Sequence, residues 1–113
     1  MTKIPPLKQP SEAQITKSIR NLLASMNIFH WKVMQGLGCE KGVPDIMGII
    51  PSHINKARSG HLLGIEVKTL RGKLSDHQSR FIDRINREGG LAFVARSVDD
   101  VIDNLGIRDR FLF

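Results

Sequence analysis

The chain has 113 residues, of which 41% are hydrophobic and 25% are charged, a balance that is typical of one globular domain and excludes global disorder. No apolar run approaches the roughly 18 residues of a membrane-spanning helix, and the single cysteine, Cys39, excludes an internal disulfide and a cysteine-based zinc site. The net charge of +6 favours nucleic acid over a membrane as partner, although a basic surface that only keeps the protein soluble has the same charge.

The N-terminal segment, residues 1–10, contains three of the five prolines and no periodic pattern. It predicts a flexible lead-in to a single domain over residues 11–113. The chain begins without the apolar segment of a secretion signal, so we expect a cytoplasmic protein of a bacterial or phage-infected cell.

The first helix is predicted from a capping box that begins at Ser11 and from apolar residues at helical spacing between Ile15 and Met26. At 100° per residue, Glu12 lies about 35° from the centre of this apolar stripe. We therefore expect its carboxylate to face inward and to have a partner there. A plain helix-dipole role for Glu12 is the alternative, but it does not explain the inward phase.

Three strands follow, separated by turns. Branched and aromatic residues predict a strand over residues 28–34, and the prolines that flank residues 45–50 bound a second strand. A glycine-rich loop precedes that strand, a polar hairpin connection over residues 51–60 follows it, and residues 61–69 form the third strand. The second and third strands should pair in antiparallel orientation across the hairpin.

The C-terminal part begins with a second capping box at Ser75, which opens a helix that ends at Gly89. Gln78 lies near the middle of the apolar stripe of this helix, so its amide should face the sheet. An apolar strand over residues 91–95 and a short acidic helix follow. Because the crossover makes this last strand parallel to the third, the sequence predicts an α/β fold, a mixed sheet flanked by helices in the order α-β-β-β-α-β-α.

Charged side chains on the second and third strands form a candidate site. Glu66 and Lys68 leave the same face of the third strand about 6.5 Å apart, Gly64 on that face should leave room for a ligand, and Asp45 meets Glu66 if the strands pair. Two close carboxylates resist joint ionisation unless a cation compensates, and oxygen ligands favour Mg²⁺ or Mn²⁺. An ordinary salt bridge on a sheet face would have the same Glu-x-Lys spacing.

These residues resemble the PD-(D/E)xK nuclease superfamily, and within it the virus-type replication and repair nuclease (VRR-NUC) family. The matching positions are Pro44 and Asp45 for the PD half, Glu66, Val67 and Lys68 for the ExK half, Glu12 in the first helix, and Gln78 after the last motif. The resemblance spans residues 11–96. It implies a restriction-endonuclease-like fold and divalent-metal-dependent hydrolysis of DNA, by a homodimer that acts on branched DNA such as four-way junctions.

Carried over to this chain, the resemblance implies that Asp45 and Glu66 bind Mg²⁺, with Mn²⁺ as a substitute, and that the Val67 carbonyl is a third ligand. Lys68 would position the attacking water. Glu12 would tune the metal site, either as a further metal ligand or through water, and Gln78 would hold Lys68 or a phosphate. Capping of the helix remains an alternative role for Gln78.

Basic residues in loops near the proposed site are the expected phosphate contacts: Lys41, Lys56, Arg58, Arg71 and Lys73. Trp31 or the residues at 111–113 would supply the apolar contact of a homodimer. Two alternatives to a junction endonuclease stay open. They are a non-catalytic DNA-binding module with a nuclease fold and a flap or single-strand nuclease.

Overall fold

The computed structural model of the protein describes residues 8–55 and 59–108. Eight elements follow one another along the chain: α1 (Glu12–Ser25), β1 (His30–Lys32), β2 (Ile46–Ile50), α2 (Ser52–Asn55), β3 (His61–Val67), α3 (Asp76–Arg87), β4 (Leu91–Ala95) and α4 (Val98–Leu105). The predicted mixed sheet and the predicted order of its main elements are confirmed. The one addition is α2, a single helical turn within the segment that was expected to be only a polar connection.

The four strands form one sheet in the order β1-β2-β3-β4. β2 pairs with β3 in antiparallel orientation, with Ile46 opposite Ile65, and β4 is parallel to β3, with Val94 opposite Glu66. Both predicted orientations are confirmed. β1 is an edge strand and is shorter than predicted, because its ladder with β2 covers only three residue pairs. Antiparallel pairing brings the start of β2 beside the end of β3.

α1 packs on one face of the sheet, beside α4. Ser11 Oγ accepts a hydrogen bond from the Gln14 amide, and Gln14 Oε1 accepts one from the Ser11 amide, so the predicted capping box is present. The helix then buries Ile19 and Leu23 completely in the main core. Burial of such side chains contributes about 1.5–3 kcal/mol each to folding, which fixes α1 against the sheet.

α3 covers the opposite face over β3 and β4. Its Ile82 and Ile85 pack with Ala92 of β4 in a second, smaller cluster. Gly64 lies under this helix. A Cβ atom there would come within 3.0 Å of Pro44 Cγ and 3.2 Å of Ile85 Cδ1. The expectation that Gly64 leaves room for a ligand was therefore wrong, because proline and helix α3 fill that space.

None of the helices in the described residues is long and apolar enough to cross a membrane.

Gly42 is the glycine on which the packing of the loop before β2 depends. It has a left-handed φ of 86°, and a Cβ atom there would collide with the backbone carbonyl of His77 at the start of α3. Gly38 has nearly the same φ, 90°, with open space around it, and serves as a matched control.

We expect Gly42→Ala to lower the free energy of unfolding by about 1–3 kcal/mol more than Gly38→Ala does, because only Gly42→Ala adds a backbone clash to the left-handed strain. Urea denaturation of both variants measures the difference. Equal losses would mean that the close approach to His77 does not contribute to stability.

Candidate functional site

Asp45 lies directly before β2 and is held from two sides. Its side-chain Oδ2 accepts a hydrogen bond of 2.8 Å from the Val67 amide of β3, and its backbone carbonyl accepts one of 2.8 Å from the Val33 amide that follows β1. The preceding Pro44 is fully buried. These contacts fix the half-buried carboxylate beside the end of β3.

Glu66 is the buried acid of the site, with 2% of its surface exposed. Its Oε1 accepts a hydrogen bond of 3.0 Å from Gln78 Nε2 and lies 3.7 Å from Lys68 Nζ. As a carboxylate oxygen, its Oε2 is buried with no hydrogen-bond donor among the described residues. The two oxygens are therefore unlike: one is saturated by the protein, and the other is free to bind something else.

The electrostatics of the site follow from this burial. The pKa of Glu66 is raised from 4.5 to about 8, mainly by desolvation. The charge of Asp45 and a hydrogen bond that the protonated Glu66 carboxyl group shares with it contribute to this shift, and the nearby Lys68 ammonium opposes it. Without a cation, Glu66 is thus mainly protonated at pH 7. In this geometry the two close carboxyl groups resist joint ionisation, as the sequence predicted.

Lys68 follows β3, and its side chain is only 14% exposed. Its amide donates to the Ala95 carbonyl of β4 at 3.1 Å. The aliphatic part of the side chain lies against the following turn, where a Cβ atom at Gly72 would be 3.3 Å from Lys68 Cδ. The turn therefore supports the stem of the lysine while its ammonium points to Glu66.

Arg96, at the end of β4, holds that turn in place. Its Nη1 donates to the carbonyls of Thr69 at 2.6 Å and Gly72 at 2.8 Å, with a longer bond of 3.3 Å to Leu70. Sequence analysis gave no role to Arg96. No local pattern distinguishes it from the other arginines, because its partners lie 24 to 27 residues earlier in the chain.

Gln78 has two functions in the structure. Its backbone amide and side-chain oxygen form the capping box with Ser75, and its side-chain NH₂ donates to Glu66. The capping alternative and the inward position are therefore both correct. Its side-chain contact is with Glu66 Oε1, which also lies 3.7 Å from Lys68 Nζ, so Gln78 reaches Lys68 only through Glu66. The predicted contact with a phosphate stays a prediction.

Glu12 faces the cleft that contains Asp45, Lys32 and Gln35, but it is exposed. The prediction that its carboxylate turns toward the site is correct. The expectation that this side chain is buried there is wrong. Glu12 lies in the first turn of α1, where none of the described residues buries its side chain. Its charge still reaches the site, where it makes a small contribution to the raised pKa of Glu66.

Asp45 and Glu66 are the residues of the site that could hold a metal ion. Among residues 8–55 and 59–108, no three His, Cys, Asp or Glu side chains are grouped closely enough to enclose one. Asp45 and Glu66 supply two carboxylates, and the buried Glu66 Oε2 has no hydrogen-bond donor among the described residues. Mg²⁺ commonly binds through one or two carboxylates and keeps several waters, so the pair fits a hydrated hard cation.

The basic residues predicted from the loops are spread around the site. Lys41 lies in a cleft with Gly42, His77 and Gln78, and Arg71 and Lys73 are exposed on the segment after Lys68. Lys56 and Arg58 lie outside the described residues, as do residues 111–113. Trp31 is 42% exposed on the edge strand.

The pH dependence of stability tests the buried carboxyl group. Because the pKa of Glu66 is higher in the folded protein than in the unfolded chain, folding binds a proton, and stability should be lost as pH rises from about 4.5 through 8. Glu66→Gln keeps an acceptor for Gln78 and cannot ionise. We expect it to be more stable than wild type by about 1–4 kcal/mol at pH 9 and nearly equal to it at pH 4.5.

Chemical denaturation in EDTA at pH 4.5, 7 and 9 measures this effect. Glu40→Gln, at an exposed position, is the control and should differ from wild type by a constant amount. A difference for Glu66→Gln that does not change with pH would contradict the protonated state.

The comparisons with known proteins agree with this geometry. The family model of the VRR-NUC domain matches residues 6–99. One similar solved structure, described as a VRR_NUC domain protein, is 19% identical with a TM-score of 0.65 and covers 88% of each chain. Another, described as a VRR_NUC domain, is 23% identical with a TM-score of 0.65 and covers 85% of this chain and 95% of its own. No curated protein matches. Because the family model covers most of the sequence, the chain belongs to the VRR-NUC domain family, a nuclease family of the PD-(D/E)xK type.

Proposed function

We propose that this protein is a divalent-metal-dependent DNA endonuclease whose active site consists of Asp45, Glu66 and Lys68. The observation that carries the proposal is the buried Glu66 carboxyl group with one unpartnered oxygen beside a second carboxyl group. A buried acid without a complete set of partners destabilises a fold, so its presence is best explained by a ligand. In a nuclease family, the ligands expected beside these two carboxyl groups are a cation and the phosphodiester that is cleaved.

Asp45 and Glu66 Oε2 would hold Mg²⁺, or Mn²⁺ in its place, with the Val67 carbonyl as a third oxygen. The bound cation would polarise the scissile phosphate and lower the pKa of a water molecule. Gln78 occupies Glu66 Oε1 and thereby turns Oε2 toward the ligand. The hydrogen bond from the Val67 amide restricts Asp45 in the same way, so both acids are oriented before a ligand arrives.

Lys68 would be the group that acts on the reacting atoms. Its ammonium lies 3.7 Å from Glu66 Oε1, at the border between the buried acids and solvent. In that position it would donate a hydrogen bond to the attacking water and stabilise the additional negative charge that develops on the phosphate oxygens. Glu12, on the solvent side of Asp45, would act on the same water network.

Branched DNA, such as a four-way junction, is the proposed substrate, and a homodimer is the proposed assembly. Each chain carries one site, whereas paired incisions in two strands need two sites related by symmetry. An exposed apolar patch supports self-association: Phe29, Trp31, Ile49 and Leu62 are between 42% and 68% exposed. α3 leaves these side chains exposed: Phe29 and Trp31 lie at the edge strand, Ile49 lies on β2, and Leu62 lies near the start of β3. Patches of this kind mark interaction sites.

The catalytic assignment is tested with labelled four-way junction, flap, duplex and single-stranded DNA, in Mg²⁺ or EDTA. We expect cleavage only with the cation and a loss of about 10²–10⁴-fold in rate for Lys68→Ala. Asp45→Asn should abolish cleavage but retain DNA affinity, because it removes a negative charge. Lys8→Ala, at an exposed N-terminal position, is the control.

Full activity of Lys68→Ala, or cleavage in EDTA, would contradict the mechanism. Preference for the flap or the single strand would contradict only the proposed substrate.

The proposed dimer is tested by sedimentation. Trp31→Asp combined with Ile49→Asp should convert a dimer into a monomer, since each introduces a charge at the centre of the apolar patch. Leu70→Asp alters a residue of similar exposure, 63%, on the turn after Lys68 and should leave the dimer intact. A monomeric wild type at micromolar concentration would overturn the assembly without affecting the chemistry of the single site.

A further inference from the structure

A groove runs between α1 and the edge strand β1 and opens into the candidate active site. Its outer part is lined by Lys17, Arg20, His30 and Lys32. Three of its lining residues, Ala13, Thr16 and Lys32, also line the cleft that holds Glu12 and Asp45. The two depressions are therefore one continuous channel on the surface.

The fold accounts for both walls of the groove. On α1 the lining residues recur every three or four positions from Ala13 to Ala24, which places them on one side of the helix. On β1, His30 and Lys32 are opposite Gly48 and Ile46, so they share the face of the sheet that α1 covers. The helix rises about 16 Å between its first and last lining residue, which is long enough for several backbone phosphates of one strand.

The distribution of charge is uneven along the groove. Lys17, Arg20 and Lys32 are exposed, and none of them forms an ion pair with the part of the chain that the structure describes. The acidic lining residues, Glu12 and Asp45, are confined to the end at the site. Cations without protein partners in a channel that leads to an acidic pair are suited to a polyanion whose scissile phosphate lies at the acids.

We propose that this groove binds the phosphate backbone of the DNA strand that is cleaved and guides it to Asp45 and Glu66. The inference rests on the proposed endonuclease function and adds to it a path for the strand. That path differs from the one expected from the sequence, which relied on loop residues. Because Lys17, Arg20 and Lys32 contact phosphates and not base edges, their contribution is independent of sequence and sensitive to salt.

The test replaces all three cations in Lys17→Gln, Arg20→Gln, Lys32→Gln. In an Asp45→Asn background, fluorescence anisotropy with labelled four-way junction DNA is measured across a series of KCl concentrations. We expect an affinity lower by about 10–100-fold and a slope of log K against log salt that is smaller by about 2–3. In the active background, KM should rise by a similar factor, and kcat should change less than about threefold.

A second triple variant, Lys8→Gln, Arg80→Gln, Arg87→Gln, is the matched control. It removes the same charge from exposed positions outside the groove, and these cations also form no ion pair with the described residues. An equal loss of affinity and slope in this control would overturn the inference, because the effect would then come from net charge. An unchanged slope in the groove variant would overturn it as well, while cleavage by wild type would keep the proposed function intact. If wild type neither binds nor cleaves any DNA form, the proposed function itself fails.

Discussion

The hydrogen bond from the Val67 amide to Asp45 Oδ2 is the contact on which the site depends. It joins the start of β2 to the end of β3, at the point where antiparallel pairing brings the two strand termini together. If the register shifted by one residue, Glu66 would turn to the opposite face of the sheet and lose both Asp45 and Gln78. The separation between the two acids is thus set by backbone pairing and by the rigid Pro44, and not by flexible side chains.

The burial of Glu66 opposes stability in the absence of a ligand. Its carboxyl group has one oxygen saturated by Gln78 and one oxygen unpartnered, and the folded protein accommodates it by raising its pKa to about 8. The surrounding core of completely buried aliphatic side chains, such as Ile65 and Val67, supplies enough free energy to tolerate this. The arrangement is an instance of local instability retained where a site requires it.

The sequence predicted those parts of the site that depend on local periodicity. The strand phase placed Glu66 and Lys68 together, and the helix phase turned Gln78 inward, because both follow from fixed repeats of two and 3.6 residues. Prediction from the sequence failed where a residue's surroundings depend on neighbours that are distant in the chain. Pro44 and α3 fill the space beside Gly64, and none of the described residues buries the side chain of Glu12. Arg96 is defined by carbonyls on another loop, so no pattern of spacing could have identified it.

The turn after Lys68 has a further consequence for the energetics of binding. One guanidinium, that of Arg96, takes the place of water for the carbonyls of Thr69, Leu70 and Gly72, and the missing side chain at Gly72 lets this turn lie against the lysine stem. The conformational entropy of the turn is therefore lost when the protein folds and not when a substrate arrives. More of the interaction energy with a ligand then remains as affinity, and the lysine ammonium is held within a narrow range of positions before any phosphate enters the site.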